Sequence, residues 1–118
     1  MFFWDEREKL YVGYTRVRET QSTEEAAAAG KIAYRSIGRI TSPDFRIWSK
    51  TQIILEADEQ DLTIPTPSKI DERRPCIDYY TSCALKYESA QDVYLMFPSV
   101  HYHWGENGFP ATLDTQLL

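Results

Sequence analysis

The sequence predicts an all-β fold of antiparallel strands, and three observations support it. Two segments of similar pattern, residues 2–16 and 78–99, each read as a β-hairpin around a charged or polar turn. Aromatic residues make up 14% of the chain, and their flat side chains pack well on half-buried strands. Each hairpin also carries an acidic residue near the start of a strand, Asp5 in the first and Asp78 in the second.

The first unit, residues 2–55, is predicted to contain four strands, at 2–4, 10–16, 31–41 and 51–55. Between the second and third strands, residues 22–25 form a capping box, and four alanines and Gly30 follow. This pattern predicts a short helical insertion. Residues 42–45, Ser-Pro-Asp-Phe, predict a tight turn, because proline presets φ and aspartate bonds nearby backbone amides.

A polar linker, residues 56–76, separates the first unit from the second and contains three prolines. This linker is longer than the loops that usually connect strands in a compact domain, so we expect it to cover a binding face or to remain mobile. The second unit, residues 77–118, begins with the second hairpin. An aromatic, glycine-containing loop is predicted over 101–110, and a further strand begins at Asp114, which leaves the unit incomplete.

Hairpins at this spacing suit the blades of a β-propeller, although the weak similarity of the two units leaves an ordinary β-sandwich open. A propeller needs at least about four blades to close its ring. The chain is therefore expected to be a piece of a larger protein, or to self-associate through uncovered sheet edges.

Charge and composition exclude some partners. The net charge is −5 and the pI is near 5.0, so a nucleic-acid backbone would be repelled. No secretory signal and no apolar run long enough for a bilayer is visible, and a membrane partner is not predicted. Cys76 and Cys83 are interpreted as two semi-buried free thiols. No glycine-rich phosphate loop occurs, and no cofactor is predicted.

Several motifs occur in a characteristic order along the chain: residues 3–5 (FWD), 11–16 (YVGYTR), 37–49 (IGRITSPDFRIWS), 78–81 (DYYT) and 94–99 (YLMFPS). In this order the chain resembles bacterial five-bladed β-propeller proteins related to glycoside hydrolase families 32 and 43. The resemblance implies a partial five-bladed propeller of about one and a half blades. It also implies carbohydrate as the partner, and hydrolysis of O-glycosidic bonds by the full-length protein.

The resemblance implies a catalytic pair. Asp5 is similar in position to the carboxylate that stabilises the transition state and orients the sugar. Asp78 falls where the acid-bearing strand begins, with an aspartate in place of the family's glutamate. The carboxylate of the family's first blade has no counterpart in this chain. The residues predicted to bind substrate are Trp4, Arg39, Tyr80, His101 and His103.

Each of these residues also has a structural interpretation. The structural alternative is that Asp5 caps a turn and that Asp78 fixes a strand start through backbone amides. Arg16 and Arg35 are expected to be solvated, and Trp48 to belong to the core. The two histidines share a strand face, but no third ligand is nearby in sequence, so no metal site is predicted.

Two other functional hypotheses remain open beside the glycoside hydrolase. The first is a non-catalytic β-module that binds sugar or protein through a Tyr- and Trp-rich surface. The second is a truncated, inactive fragment. For the catalytic hypothesis, Asp5 and Asp78 must face one pocket, with carboxyl groups roughly 5–10 Å apart.

Overall fold

The computed structural model describes residues 1–18, 35–63, 77–104 and 111–118. The first sheet is a four-stranded antiparallel meander in which each strand pairs with the next along the chain. Its strands are β1 (Phe2–Asp5), β2 (Leu10–Arg18), β3 (Arg35–Ser42) and β4 (Gln52–Leu55). The predicted four-stranded first unit therefore has its counterpart in the structure.

The second unit contains five shorter strands, which form two antiparallel sheets. They are β5 (Ile77–Thr81), β6 (Ala84–Lys86), β7 (Tyr94–Met96), β8 (Ser99–His103) and β9 (Ala111–Thr115). One sheet has the order β5-β8-β9, and the other pairs β6 with β7. The two sheets continue one another, because β6 follows β5 and β8 follows β7 after only two residues each.

The break between these two sheets lies at Cys83, where the backbone has a positive φ of 41°. The Phe97 amide still donates to the Cys83 carbonyl across the break, at 3.3 Å. Beyond β9, Leu118 exchanges backbone hydrogen bonds with Met96 at 2.9 and 3.2 Å. The second unit is thus one long, interrupted hairpin with a third strand along it.

The hydrophobic core joins the two units. The first sheet contributes buried Val12, Tyr14 and Ile37, which alternate with outward-facing residues along β2 and β3. The second unit contributes buried Ile77, Tyr79, Ala84 and Val100. Because both units supply buried residues to one cluster, separating them would expose the core to water.

The outer face of the first sheet is aromatic and partly exposed. The rings of Phe2, Phe45 and Trp48 pack edge to face, with centroids 5.2–6.1 Å apart. Phe2 lies across Gly13, where an added Cβ would come within 2.4 Å of the ring. Phe2 and Phe45 are about half exposed and Ile47 is 74% exposed. Trp48, predicted to be core, therefore belongs to this half-buried aromatic cluster.

The structure confirms the all-β, antiparallel class. The only helix in the described ranges is a single 3₁₀ turn, Asp61–Thr63, and no helix there is long and apolar enough to span a membrane. The turn at 42–45 is confirmed, because the Asp44 carboxylate accepts hydrogen bonds from the Arg46 and Ile47 amides. The predicted helical insertion at 22–30 lies outside the described residues, as do the linker positions 64–76.

Two predictions about the second unit were wrong. Residues 101–103 are not part of a loop, because they form the end of β8 and pair with both β5 and β9. The aromatic and histidine content of this segment suits a strand between two neighbours. Cys83 is exposed rather than semi-buried, because it lies at the break in the long hairpin.

Gly38 in β3 gives a test of this packing. A Cβ at this position would lie 2.3 Å from Thr51 Cγ2 and 2.7 Å from Val17 Cγ2. We expect Gly38→Ala to lower the free energy of unfolding by about 1–3 kcal/mol, measured by urea denaturation. Adding Thr51→Ser removes the closer methyl group, so the double variant should recover part of the loss. Unchanged stability of Gly38→Ala would contradict the packing of β3 against these neighbours.

Candidate functional site

The first aspartate, Asp5, ends β1 and is fully buried. Its Oδ1 accepts hydrogen bonds from the amides of Arg7 and Glu8, at 2.8 and 3.2 Å, which closes the turn between β1 and β2. The same oxygen lies 3.1 Å from Lys86 Nζ in β6. The Tyr94 hydroxyl in β7 donates to Oδ2. Asp5 therefore caps a turn of the first sheet and is held by two side chains of the second unit.

The environment of Asp5 favours its ionised form. Burial opposes ionisation, but the hydrogen bonds from Tyr94, from Lys86 and from the two turn amides outweigh it and lower the pKa of Asp5 well below its ordinary value. Burial and the hydrogen bond to Asp5 raise the pKa of Tyr94 to about 12. Asp5 is thus a permanent carboxylate at neutral pH and is not suited to donate a proton.

A groove of about 490 Å³ lies beside Asp5, between the edge strand β1 and the β6–β7 hairpin. The residues of β1 that line it include Phe3 and Trp4, and the indole side chain of Trp4 is partly exposed. The groove also contains charged side chains from both units: Glu6, Lys86 and Glu88. Since Lys86 also binds Asp5, it connects the groove to the buried carboxylate.

The orientation of Trp4 in the groove is fixed by its neighbours. Its ring packs edge to face on Tyr11, with centroids 4.8 Å apart. Hydrogen bonds from Lys9 and from the Trp4 side chain lower the pKa of Glu6. The indole therefore packs on a neighbouring ring and keeps a partly exposed, flat apolar surface.

The second aspartate, Asp78 in β5, is also fully buried. Arg35 Nη1, from the start of β3, donates to both of its carboxylate oxygens, at 3.2 and 3.1 Å. Two histidines of β8 lie beside it: His101 Nδ1 is 3.5 Å from Oδ1, and His103 Nε2 is 3.2 Å from Oδ2. The carboxylate therefore lies among three cationic or basic groups.

Arg35 also defines the tautomer of His101. Its Nη1 lies 3.0 Å from His101 Nδ1, and a guanidinium can only donate. This contact favours the tautomer of the neutral ring that carries its proton on Nε2. Burial lowers the pKa of His101, and the neighbouring His103 and Arg35 lower it further, against the attraction of Asp78. His101 is consequently a neutral imidazole at pH 7.

Tyr80 covers the outer side of this cluster. The guanidinium carbons of Arg16 and Arg35 each lie 5.0 Å from the centre of its ring. The same ring packs edge to face with His101, at a centroid distance of 6.2 Å. These cation–π contacts connect the first sheet to β5 and leave Tyr80 38% exposed.

The structure brings together four of the residues predicted from sequence: Asp78, Tyr80, His101 and His103. It places the others elsewhere. Asp5 bonds to a different set of side chains, and Trp4 lines the groove. Arg39 Nη2 donates to Glu8 Oε2 at 2.6 Å. A joint catalytic role for Asp5 and Asp78 stays a prediction.

The expectation that Arg35 is solvated was wrong, because its side chain is only 19% exposed and pairs with Asp78. Sequence reasoning also missed Lys86, Glu6 and Glu88. Lys86 ends the short strand β6 and the two glutamates lie in turns, so neither hydrophobic periodicity nor a motif marked them. In the sequence these three residues are marked only by their positions in, or next to, the turns of the two hairpins.

No family model matches the chain, and neither a curated protein nor a solved structure matches it. The resemblance to glycoside hydrolase propellers therefore stays a hypothesis.

Asp5→Asn tests the role of the first aspartate. At pH 7 the change should lower the free energy of unfolding by about 3 kcal/mol, because it leaves Lys86 without its partner. Since the pKa of Asp5 is lowered in the folded state, its contribution is complete above the ordinary value of about 4 and disappears as the pH falls below it. The difference between wild type and variant, measured by urea denaturation, should shrink in acid. A difference that is constant with pH would contradict this role.

Proposed function

We propose that this chain is a carbohydrate-binding β-module whose binding site is the groove between β1 and the β6–β7 hairpin. The observation that carries the proposal is the position of Trp4, whose partly exposed indole lines a groove of about 490 Å³. That volume lies within the range of roughly 300–1,000 Å³ that is usual for small-ligand sites.

The chemistry of the groove suits a sugar. A pyranose ring has an apolar face of C–H groups and an edge of hydroxyl groups. The Trp4 indole offers a flat apolar surface held in place by its neighbours. Glu6 and Glu88 supply hydrogen-bond acceptors for hydroxyl groups, and Lys86 supplies a donor.

The Asp78 cluster suits a sugar less well. The Asp78 carboxylate is fully buried, and both of its oxygens already accept hydrogen bonds from Arg35. A hydroxyl group could reach it only by displacing the arginine. This difference in access favours the groove as the binding site.

The strand order supports a propeller as the parent architecture of this module. A four-stranded meander is followed by an interrupted hairpin with a third strand along it, and both share one core. We infer that the two units are neighbouring blades, and that the outer face around Phe45 and Ile47 is covered by a further blade or by a second copy of the chain. An exposed apolar face of this kind is typical of an interface.

Trp4→Ala tests the binding site. We expect the wild-type chain to bind short oligosaccharides of a pentose and hexose panel, detected by ligand-observed NMR and by tryptophan fluorescence. Removal of the indole should weaken binding by about tenfold or more, which is the usual effect of losing a central aromatic contact.

Tyr80→Ala is the matched control, because Tyr80 and Trp4 are exposed to nearly the same extent, 38% and 39%. The control should bind like the wild type. A loss in Tyr80→Ala with none in Trp4→Ala would move the site to the Asp78 cluster. No binding of any oligosaccharide to the wild-type chain would contradict the proposal.

Hydrolysis is the second candidate function, and one observation favours it: two carboxyl groups, Glu6 and Glu88, line the same groove. The Glu6 carboxylate pairs with Lys9 Nζ at 2.7 Å, so this proposal assigns the role of proton donor to Glu88. If the chain cleaves aryl glycosides, Glu88→Gln should lower the rate by about 10²-fold or more while oligosaccharide binding persists. Equal rates in the variant and the wild type would exclude this role for Glu88.

A further inference from the structure

Three metal-ligating side chains lie on one face of the second unit. Asp78 in β5 and His101 in β8 are direct partners in the antiparallel register, so their side chains point to the same side. His103 lies two residues further along β8 and therefore shares that side. One ligand atom from each of the three lies within 4.8 Å of the others.

The spacing of these atoms is close to that of a coordination sphere. His101 Nδ1 is 3.5 Å from Asp78 Oδ1, and His103 Nε2 is 3.2 Å from Oδ2. Ligands bound to zinc at about 2.0–2.1 Å with tetrahedral angles lie about 3.3 Å apart. Movements of a few tenths of an ångström would therefore bring these pairs to coordination geometry.

A cationic group already contacts two of these three ligands. Arg35 Nη1 lies 3.0 Å from His101 Nδ1 and 3.1–3.2 Å from both oxygens of Asp78. The lone pairs of these atoms are thus directed at a positive charge. The Arg35 Nε atom, in contrast, is buried and has no hydrogen-bond partner among the described residues. The guanidinium is therefore only partly satisfied in this position.

We propose that Asp78, His101 and His103 form a binding site for a divalent transition-metal ion, of which Zn²⁺ is the simplest example. The ion takes the place of Arg35 Nη1, and the guanidinium moves towards Tyr80, over which it already lies. Two imidazoles and one carboxylate select metals that accept nitrogen ligands, and leave further positions open for water or a ligand. Magnesium and calcium, which prefer oxygen ligands, are not expected to bind.

The site is independent of the groove and of the proposed sugar binding. A search for sequence motifs would not find this site. The two histidines lie two positions apart on one strand, but the third ligand comes from β5, 23 positions before His101, and becomes their neighbour only through strand pairing.

The experiment uses the full chain with both cysteines replaced by serine, because the exposed thiol of Cys83 would bind zinc itself. His101 and His103 are the only histidines of the chain, so every imidazole nitrogen signal comes from a proposed ligand. Titration with Zn²⁺ should shift the signals of both imidazoles, and calorimetry should give one ion per chain. His101→Ala should weaken binding by at least about tenfold.

Arg35→Gln removes the competing cation. In the cysteine-free chain, this variant should bind zinc more tightly than the chain that retains Arg35. Mg²⁺ serves as the control ion and should leave both imidazoles unchanged. The proposal is overturned if Zn²⁺ fails to shift the imidazole signals of the Arg35-containing chain, whatever the Arg35→Gln variant does. If His101→Ala does not fold, the imidazole shifts of the Arg35-containing, cysteine-free chain are sufficient to test the proposal.

Discussion

The structure depends on a reciprocal exchange of buried charge between its two units. Each unit buries one aspartate completely, and each aspartate takes its cation from the other unit: Asp5 from Lys86, and Asp78 from Arg35. A buried carboxylate without a partner is very costly, so neither unit can separate without leaving two charges unpaired. The shared core adds a non-directional attraction, whereas the ion pairs fix how the units are placed.

The contacts of the two aspartates in the structure differ from those that the sequence predicts. At the level of sequence they resemble catalytic carboxylates delivered to a common pocket. In the structure, the contacts of Asp5 are a turn, Lys86 and Tyr94, which are typical of a structural role. Each surface that we propose to be functional lies beside one of these ion pairs: Lys86 lines the groove, and Arg35 contacts two of the proposed metal ligands. Both units form the groove, whereas the three proposed metal ligands all belong to the second unit.

Much of the fold could be predicted from the sequence, because strand periodicity and turn chemistry act locally. The four strands of the first sheet and the turn at Asp44 follow from patterns within a few residues. The partners of the buried charges could not be predicted: Arg35 lies 43 positions from Asp78, and Lys86 lies 81 positions from Asp5. The side chain of Arg35 looks solvated in its own strand and acquires its partner only when β3 meets β5. The groove was missed for the same reason, since two separate hairpins form it.

A double-mutant cycle on Arg35 and Asp78 tests the central claim most directly. The free energies of unfolding of Arg35→Met, Asp78→Asn and the double variant would be compared with that of the wild type in urea. If the ion pair couples the two units, the double variant should lose about 1–3 kcal/mol less than the sum of the single losses. Losses that add to within about 0.5 kcal/mol would show that the two residues do not depend on each other. The reciprocal exchange would then not be what holds the units in place.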